Sequence, residues 1–314
     1  MNALAVETRR LRKVFDAVEA VQGLDLVVGQ GEMFGLVGPD GAGKTTIIRM
    51  LCGILPPTSG SASVLGFDTQ TGREEIKRRI GYLSQKFSLY GDLTVDENIE
   101  FFAEIHAVGD FRARREELLE FTRLRPFRDR LAERLSGGMK QKLALACTLV
   151  HTPQLILLDE PTTGVDPVSR RDFWMILSSL LHSGITIIMT TPYMDEAERC
   201  TRIGLISGGR LLAADSPEKV KSLMKGTVIE IVCPDTRRAF SVIRKLPARP
   251  EVQIFGDRLN VVVQDAAAEI GRIEAALAAA GIPVVQKRTL PPSLENVFIS
   301  VTQSESAEAD HAQT

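Results

Sequence analysis

The sequence predicts an α/β fold: a mostly parallel sheet with helices around it, an antiparallel β subdomain, a helical insertion and a small α+β domain towards the end. Three observations predict it. Met33-Phe-Gly-Leu-Val37 is a short apolar run, followed by GPDGAGKTT from Gly38 to Thr46 and by Ile47, Ile48, Met50 and Leu51 at helical spacing, which reads as strand, glycine-rich loop and helix. Leu155-Ile-Leu-Leu158 is continuously apolar, as a central parallel strand covered on both faces should be. Between these two strands, from about Asp96 to Val150, the apolar spacing turns helical, so the insertion interrupts the sheet rather than extending it.

Taken in order, Ala5 to Lys13 and Val18 to Val28 alternate partly between apolar and polar and read as antiparallel strands, with Phe15 between them. After the glycine-rich loop and its helix, Pro56-Pro57-Thr58-Ser59-Gly60 is a turn. Ser61 to Leu65 returns as a strand, Arg73 to Arg79 as a charged helix, and Ile80 to Ser84 as a strand that closes on Gln85. In the insertion, Ile99, Phe102, Ala103 and His106, then Leu118, Leu119 and Leu124, recur at helical spacing. His106 reads as a packing or surface residue, and Arg112 to Glu117 as a solvated helix face. Ser136 is a good N-cap for a helix from Gly137 to His151. Beyond the strand at 155–158 come a helix from Pro167 to Leu181, a strand from Ile185 to Met189, a short helix from Met194 to Cys200, a hairpin turned at Ser207-Gly208-Gly209 and a helix from Ser216 to Lys225.

A boundary falls near Lys225-Gly226, giving a first domain over 1–224 with its helical insertion at about 95–150. The second, over 225–302, reads as strand (Val228 to Val232), helix (Ala239 to Leu246), a hairpin turned at Gly256-Asp257, an Ala-rich helix stopped by Gly281, and a closing strand and helix. Residues 303–314 are polar and are expected to be disordered.

Bulk properties exclude some classes. The chain of 314 residues is 44% hydrophobic and 25% charged with a net charge of -2, so nothing points to nucleic acid as a bulk partner. No apolar run reaches the length of a membrane span. The opening Met1 to Lys13 has no apolar core segment and does not read as a signal peptide. Cys52, Cys147, Cys200 and Cys233 lack metal-ligand spacing and read as reduced packing residues of a cytosolic protein.

The chemistry-bearing residues fall into three groups. Gly38, Pro39, Asp40, Gly41, Ala42, Gly43, Lys44, Thr45 and Thr46 fit G-x-x-x-x-G-K-[ST]. Glycines let backbone N–H groups curl around an anion, and the helix N-terminus adds its positive end. Lys44 would reach β- and γ-phosphates, and the Thr45 hydroxyl would ligate Mg²⁺. Asp159 and Glu160 end the apolar strand, where one carboxylate can hold Mg²⁺ and the next can polarise an attacking water. Ser136-Gly137-Gly138 opens a helix and reads either as an ordinary N-cap with a flexible start or as a second anion site, for which a chain with one phosphate loop has no obvious need.

With GPDGAGKTT before it and LILLDEPTTGVD after it, LSGGMKQ at 135 to 141 resembles the signature of ATP-binding cassette (ABC) ATPases, over residues of about 5 to 220 and in that family's motif order. The resemblance implies a P-loop NTPase core that binds ATP and Mg²⁺. It also implies a head-to-tail dimer, in which Ser136 to Gly138 of one subunit closes on ATP held by the phosphate loop of the other. Phe15 matches the aromatic residue that stacks on adenine, although a core Phe at a strand end is the plainer alternative. Gln85 matches the glutamine that contacts Mg²⁺ and water. Asp166 matches the loop that crosses to the partner, and also suits a simple helix cap. Phe87, Leu89 and Tyr90 match the region that receives a short helix from a membrane permease, or else pack internally.

The segment TPYMDEAERC and the ending PPSLENVFISV look like ATP-binding subunits of ABC-2 type exporters, the drug and polysaccharide efflux class. Asp40, where Asn is usual, resembles one bacterial efflux subgroup, some of whose members carry two cassettes; this sequence carries one. The resemblance therefore implies an ATPase that energises a separate permease, peripheral to the cytoplasmic face of the inner membrane, as a homodimer or heterodimer of cassettes. Two alternatives stay open. One is a weakly hydrolysing or non-hydrolysing cassette paired with an active partner, and the other a soluble ABC protein unconnected with transport. The first is favoured by a departure: the family usually has a histidine where Pro192 stands, and proline offers no donor. The intact Glu160 argues against it. With that histidine missing, hydrolysis is expected to be slow, or to rely on Tyr193, Thr191 or a partner cassette.

Overall fold

Every residue of Met33–Val37 (β3) is buried, because the strand lies inside a six-stranded sheet with neighbours on both sides. The computed structural model describes residues 3–86, 89–248 and 250–312, and side chains as far as 303. The chain forms two compact units, Met1–Ala214 and Asp215–Thr314.

In the first unit, Leu4–Phe15 (β1) and Val18–Gly29 (β2) form a long antiparallel hairpin. With Ser59–Val64 (β4) and Phe67–Asp68 (β5) they make a four-stranded antiparallel sheet in the order β2-β1-β4-β5. The second sheet adds Ile80–Leu83 (β6), Leu155–Asp159 (β7), Thr186–Thr191 (β8), Arg202–Ser207 (β9) and Arg210–Asp215 (β10), in the order β10-β9-β3-β8-β7-β6. The pairs β3·β8, β3·β9, β6·β7 and β7·β8 are parallel. Parallel neighbours need crossovers; Lys44–Leu51 (α1), Arg73–Arg79 (α2), Pro167–His182 (α6) and Met194–Ala197 (α7) lie along them. The result that matters for function is that the carboxyl ends of β3, β6, β7 and β8 share one edge of the sheet, where open α/β sheets bind ligands.

The helical insertion consists of Val95–Ile105 (α3), Phe111–Phe121 (α4) and Gly137–Leu149 (α5), packed on one another. Thr94 and Glu97 close a reciprocal capping box on α3. Asn98, buried, donates to the Tyr90, Leu93 and Thr94 carbonyls and accepts from the Tyr90 N–H, which fixes the turn before α3. His106 stacks on His151 with ring centroids 3.9 Å apart, a packing role in line with the expectation from sequence. Burial, together with His106 and against the Ile80 carbonyl that His151 Nε2 faces at 2.9 Å, pushes His151 down to about 4. A histidine titrating near 4 when folded and near 6.5 when unfolded takes up its proton first in the unfolded chain. Stability is therefore whole above about pH 6.5 and drains away as pH falls towards 4. We expect His151→Gln to flatten the decline of the thermal midpoint between pH 6.5 and 4.5; an unchanged pH profile would assign that acid sensitivity elsewhere.

The second unit opens with Pro217–Lys221 (α8) and continues as Thr227–Val232 (β11), Thr236–Ile243 (α9), Glu251–Phe255 (β12), Arg258–Val263 (β13), Ala266–Ala279 (α10) and Gln286–Leu290 (β14), closing with Leu294–Ala312 (α11). Its antiparallel sheet runs β12-β13-β11-β14, the split β-α-β-β-α-β arrangement. Ile229, Ile231, Leu259 and Val261 face Ile273 and Leu277 in its core. On the other face Gln253, Asn260, Glu230 and Arg288 stand side by side across all four strands. There Asn296 Nδ2 donates to Gln253 Oε1 and Gln253 Nε2 donates to the Asn296 backbone carbonyl, tying α11 to β12. The unit begins earlier than the boundary expected after residue 224, because α8 packs against α11. Of the stretch expected to be disordered, residues 303–312 are described as helical backbone continuing α11 to Ala312, and 313–314 lie outside the described residues.

Candidate functional site

The glycine-rich loop is shaped by close backbone approach. A Cβ on Gly43 (φ +99°) would stand 2.3 Å from the Ala20 carbonyl oxygen, and one on Gly38 would stand 2.0 Å from the Ile206 oxygen. Only glycine fits either place. The Gly209 N–H donates to the Ala42 carbonyl at 3.1 Å, and the Gln22 N–H to Gly209 at 2.8 Å. So β2 and the β9–β10 turn brace the loop, a support the motif itself does not reveal. No side chain caps α1, which leaves its first-turn N–H groups for an anion.

Lys44, 3% exposed, donates to the Gly38 and Pro39 carbonyls at 2.8 and 2.9 Å and pairs with Glu160 Oε1 at 3.2 Å. Gln85 Nε2 donates to Glu160 Oε2 at 2.9 Å. The Thr45 hydroxyl donates to Asp159 Oδ1 at 3.0 Å, and the Thr190 hydroxyl to the same oxygen at 2.8 Å. The Glu160 N–H in turn donates to Thr190 Oγ1 at 2.9 Å. Four strand ends thus bring Lys44, Thr45, Gln85, Asp159, Glu160 and Thr190 into one hydrogen-bonded group. Glu160 holds a left-handed φ of +50°, a costly conformation for a non-glycine residue and one that clusters at functional sites.

The residues fit a bound Mg²⁺. Asp159 Oδ2 is buried and, among the described residues, has no hydrogen-bond partner; an ionised carboxylate oxygen left so needs a cation or a donor. Among the described residues no three His, Cys, Asp or Glu side chains form a closed metal site. Such a cation would therefore be shared with phosphate oxygens, as Mg²⁺ usually is.

Ser136 and Gly137 are exposed and Gly138 is buried. The Ser136 hydroxyl accepts from the Met139 N–H within α5, and a Cβ on Gly138 would meet Ser169 Cβ and Oγ at 2.2 Å. This segment is thus fixed to α6, with its outer side open. Asp166 caps α6 by accepting from the Val168 and Ser169 N–H groups, and Ser169 holds its carboxyl below the usual range. Phe15 is 44% exposed with the Lys13 ammonium 5.1 Å from its ring centre, so it is a surface aromatic and not a core one. Tyr90 is exposed and packs edge-on against Phe101. Leu89, with Gly91, Ala132, Glu133, Lys140 and Gln141, lines a cavity of about 310 Å³; Phe87 lies outside the described residues.

Near Pro192 the structure corrects the strand bounds: β8 runs through Thr191, past the Met189 expected. Thr191 donates its hydroxyl to Glu196 at 2.7 Å and accepts from the Tyr193 N–H, while the Tyr193 ring lies under Arg170, 4.9 Å from its guanidinium. Both residues that could stand in for the histidine are already engaged. Thr190, which joins the hydrogen-bonded group around Glu160, and Thr162 and Glu196, bonded to each other beside it, are residues that sequence reasoning missed. Two polar threonines at the end of β8 were the available signal for Thr190. All four cysteines are buried and free, as expected.

A phosphate loop, a paired Asp-Glu at a neighbouring strand end and a second helix N-terminus kept open to solvent are the parts of a nucleotide-binding cassette. Residues 21–163 match the family model described as ABC transporter. The chain is 41% identical to the probable multidrug ABC transporter ATP-binding protein YbhF of Escherichia coli (strain K12), over 96% of this chain and 52% of that protein. It is 35% identical to the daunorubicin resistance ATP-binding protein DrrA2 of Streptomyces coeruleorubidus, over 99% of this chain and 100% of that one. It thus spans about half the length of YbhF and all of DrrA2. Among solved structures it resembles the dimeric ATP-binding cassette MJ0796 in a post-hydrolysis state bound to ADP and Pi, with a TM-score of 0.62 and 26% identity, over 67% of this chain and 98% of that one. The chain belongs to the ABC transporter family, as one of its ATP-binding proteins.

Proposed function

We propose that this chain binds and hydrolyses ATP to drive a separate membrane permease of the ABC-2 efflux type. The observation that carries the reading is Glu160, pinned between Lys44 and Gln85 at the mouth of the phosphate loop. Lys44 exchanges the Gly38 and Pro39 carbonyls for β- and γ-phosphate oxygens, and loop N–H groups surround the remaining charge. Thr45, Asp159 and Gln85 would hold Mg²⁺, which when bound supplies positive charge to the phosphate oxygens. Released from Lys44, the Glu160 carboxylate accepts a proton from a water in line with the γ-phosphorus, and Gln85 orients that carboxylate through its amide. Phe15 stacks on the adenine. Ser136 to Gly138 of a second cassette, identical or related, closes the far side of the nucleotide, and Asp166 meets the same partner.

No helix among the described residues is long and apolar enough to cross a membrane. In this reading the permease supplies the crossing, and a segment of it docks at the cytoplasmic face near Tyr90 and the cavity lined by Leu89. The names of YbhF and DrrA2 support an export role. Co-purification with a multi-span membrane protein is the direct test, and recovery with ribosomes or DNA alone would overturn it.

The engagement of Thr191 and Tyr193 supports slow hydrolysis. We expect Pro192→His to raise steady-state turnover by about tenfold or more, since one donor aimed at transition-state charge is commonly worth roughly that or better. Ordinary turnover in the wild type with no gain in the variant would show that this site needs no such donor.

A further inference from the structure

We propose that Glu196, on α7, is a positioning residue for the hydrolytic carboxylate; this inference rests on the function proposed above. Its side chain is wholly inaccessible to solvent, which for a carboxylate demands dedicated partners. It has three, each from a different segment. Thr162, in the turn that follows Glu160, donates its hydroxyl to Oε1 at 2.6 Å. Thr191, the last residue of β8, donates to Oε2 at 2.7 Å. Arg170 of α6 places Nε 3.5 Å from Oε1.

The arrangement is directed at Glu160. That residue's left-handed backbone persists only if its surroundings over-determine it. Thr190 fixes it from the N-terminal side through its own N–H. Glu196 fixes it from the C-terminal side by holding Thr162. Thr190 and Thr191 are adjacent on one strand and point to opposite faces, so β8 anchors both clamps: one hydroxyl meets Asp159, the other Glu196. Through Arg170, which also covers Tyr193, the same carboxylate links the Glu160 turn to the segment where Pro192 stands and to the helix capped by Asp166. Glu196 touches neither nucleotide nor water in this scheme. It acts by keeping Glu160 and the Asp166 loop in register.

The test uses the full chain with Glu196→Gln, Thr162→Val and Thr162→Ser, measuring kcat, KM for ATP, equilibrium ATP binding and the thermal midpoint of each. Thr162→Val deletes one hydroxyl without changing volume, and it keeps the inference testable if Glu196→Gln folds poorly. Glu196→Gln and Thr162→Val are expected to lower kcat by roughly tenfold or more with KM and ATP binding unchanged, as a misplaced catalytic group does. Thr162→Ser is expected to recover the rate. A purely structural role would instead lower the thermal midpoint, with the loss of rate following the folded fraction, and that result overturns the inference. A wild-type rate in both variants, beside a lost rate in Glu160→Gln, overturns this inference alone. A wild-type chain that hydrolyses no ATP overturns it together with the function it rests on.

Discussion

Glu160→Gln is expected to lower ATP turnover by about 10²-fold or more while leaving ATP binding intact, the usual scale for losing a general base. The substitution keeps the shape and the hydrogen-bond reach of the side chain, so Gln85 retains an acceptor and the left-handed turn keeps its Thr190 and Thr162 anchors. What is lost is the negative charge that can take a proton from water. Lys44 loses one partner at 3.2 Å but keeps the Gly38 and Pro39 carbonyls, so the phosphate loop stays formed. Affinity for ATP is expected to hold or rise slightly, because a carboxylate near the γ-phosphate repels it. Steady-state ATPase, equilibrium binding and sedimentation with ATP check this together. The expected pattern is bound ATP, a dimer that accumulates with ATP, and little phosphate release. A variant keeping most of its turnover would move the base to another group.

The parts of this site legible in the sequence are those carried by contiguous residues. Gly38 to Thr46 is one loop, Asp159-Glu160 one strand end and Ser136 to Gly138 one helix start, and each states its chemistry locally. Thr190 leaves only the faint signal of a polar strand end, and Thr162 and Glu196 leave none, because their roles arise only when β7 and β8 pair and α7 packs against β8. The strand order β12-β13-β11-β14 is hidden for a related reason: pairing is set by contacts distant in sequence, and the last strand, expected to start at Val284, starts only at Gln286. The exposure of Phe15 removes the reading of a core residue, which the sequence left open, since a strand-end aromatic looks the same in sequence whether its ring is covered or bare. Pro192 was visible at once, but not that Thr191 and Tyr193 are already occupied.

Gly138→Ala is expected to leave ATP binding to a single subunit unchanged and to lower turnover by about 10²-fold, the effect of displacing a catalytic surface by an ångström or so. The added methyl would stand 2.2 Å from Ser169 Cβ and Oγ, so either the first turn of α5 or Ser169 must move. Ser169 is held by Asp166 at 2.9 Å, and the displacement therefore reaches two elements proposed to meet the partner cassette, while Lys44 and Glu160 stay in place. Ser169→Gly removes the obstructing atoms and is expected to restore much of the rate. Gly137 supplies the contrast: a Cβ there meets nothing within 4 Å in this chain. If Gly137→Ala nevertheless lowers turnover, the atoms it meets belong to something that closes on this surface. Mixing two impaired proteins decides what that is. In a head-to-tail dimer, one Glu160→Gln subunit and one Gly138→Ala subunit place both defects in one shared site and leave the other site whole, so the mixture is expected to regain turnover that neither variant has alone. A site confined to a single subunit would regain nothing.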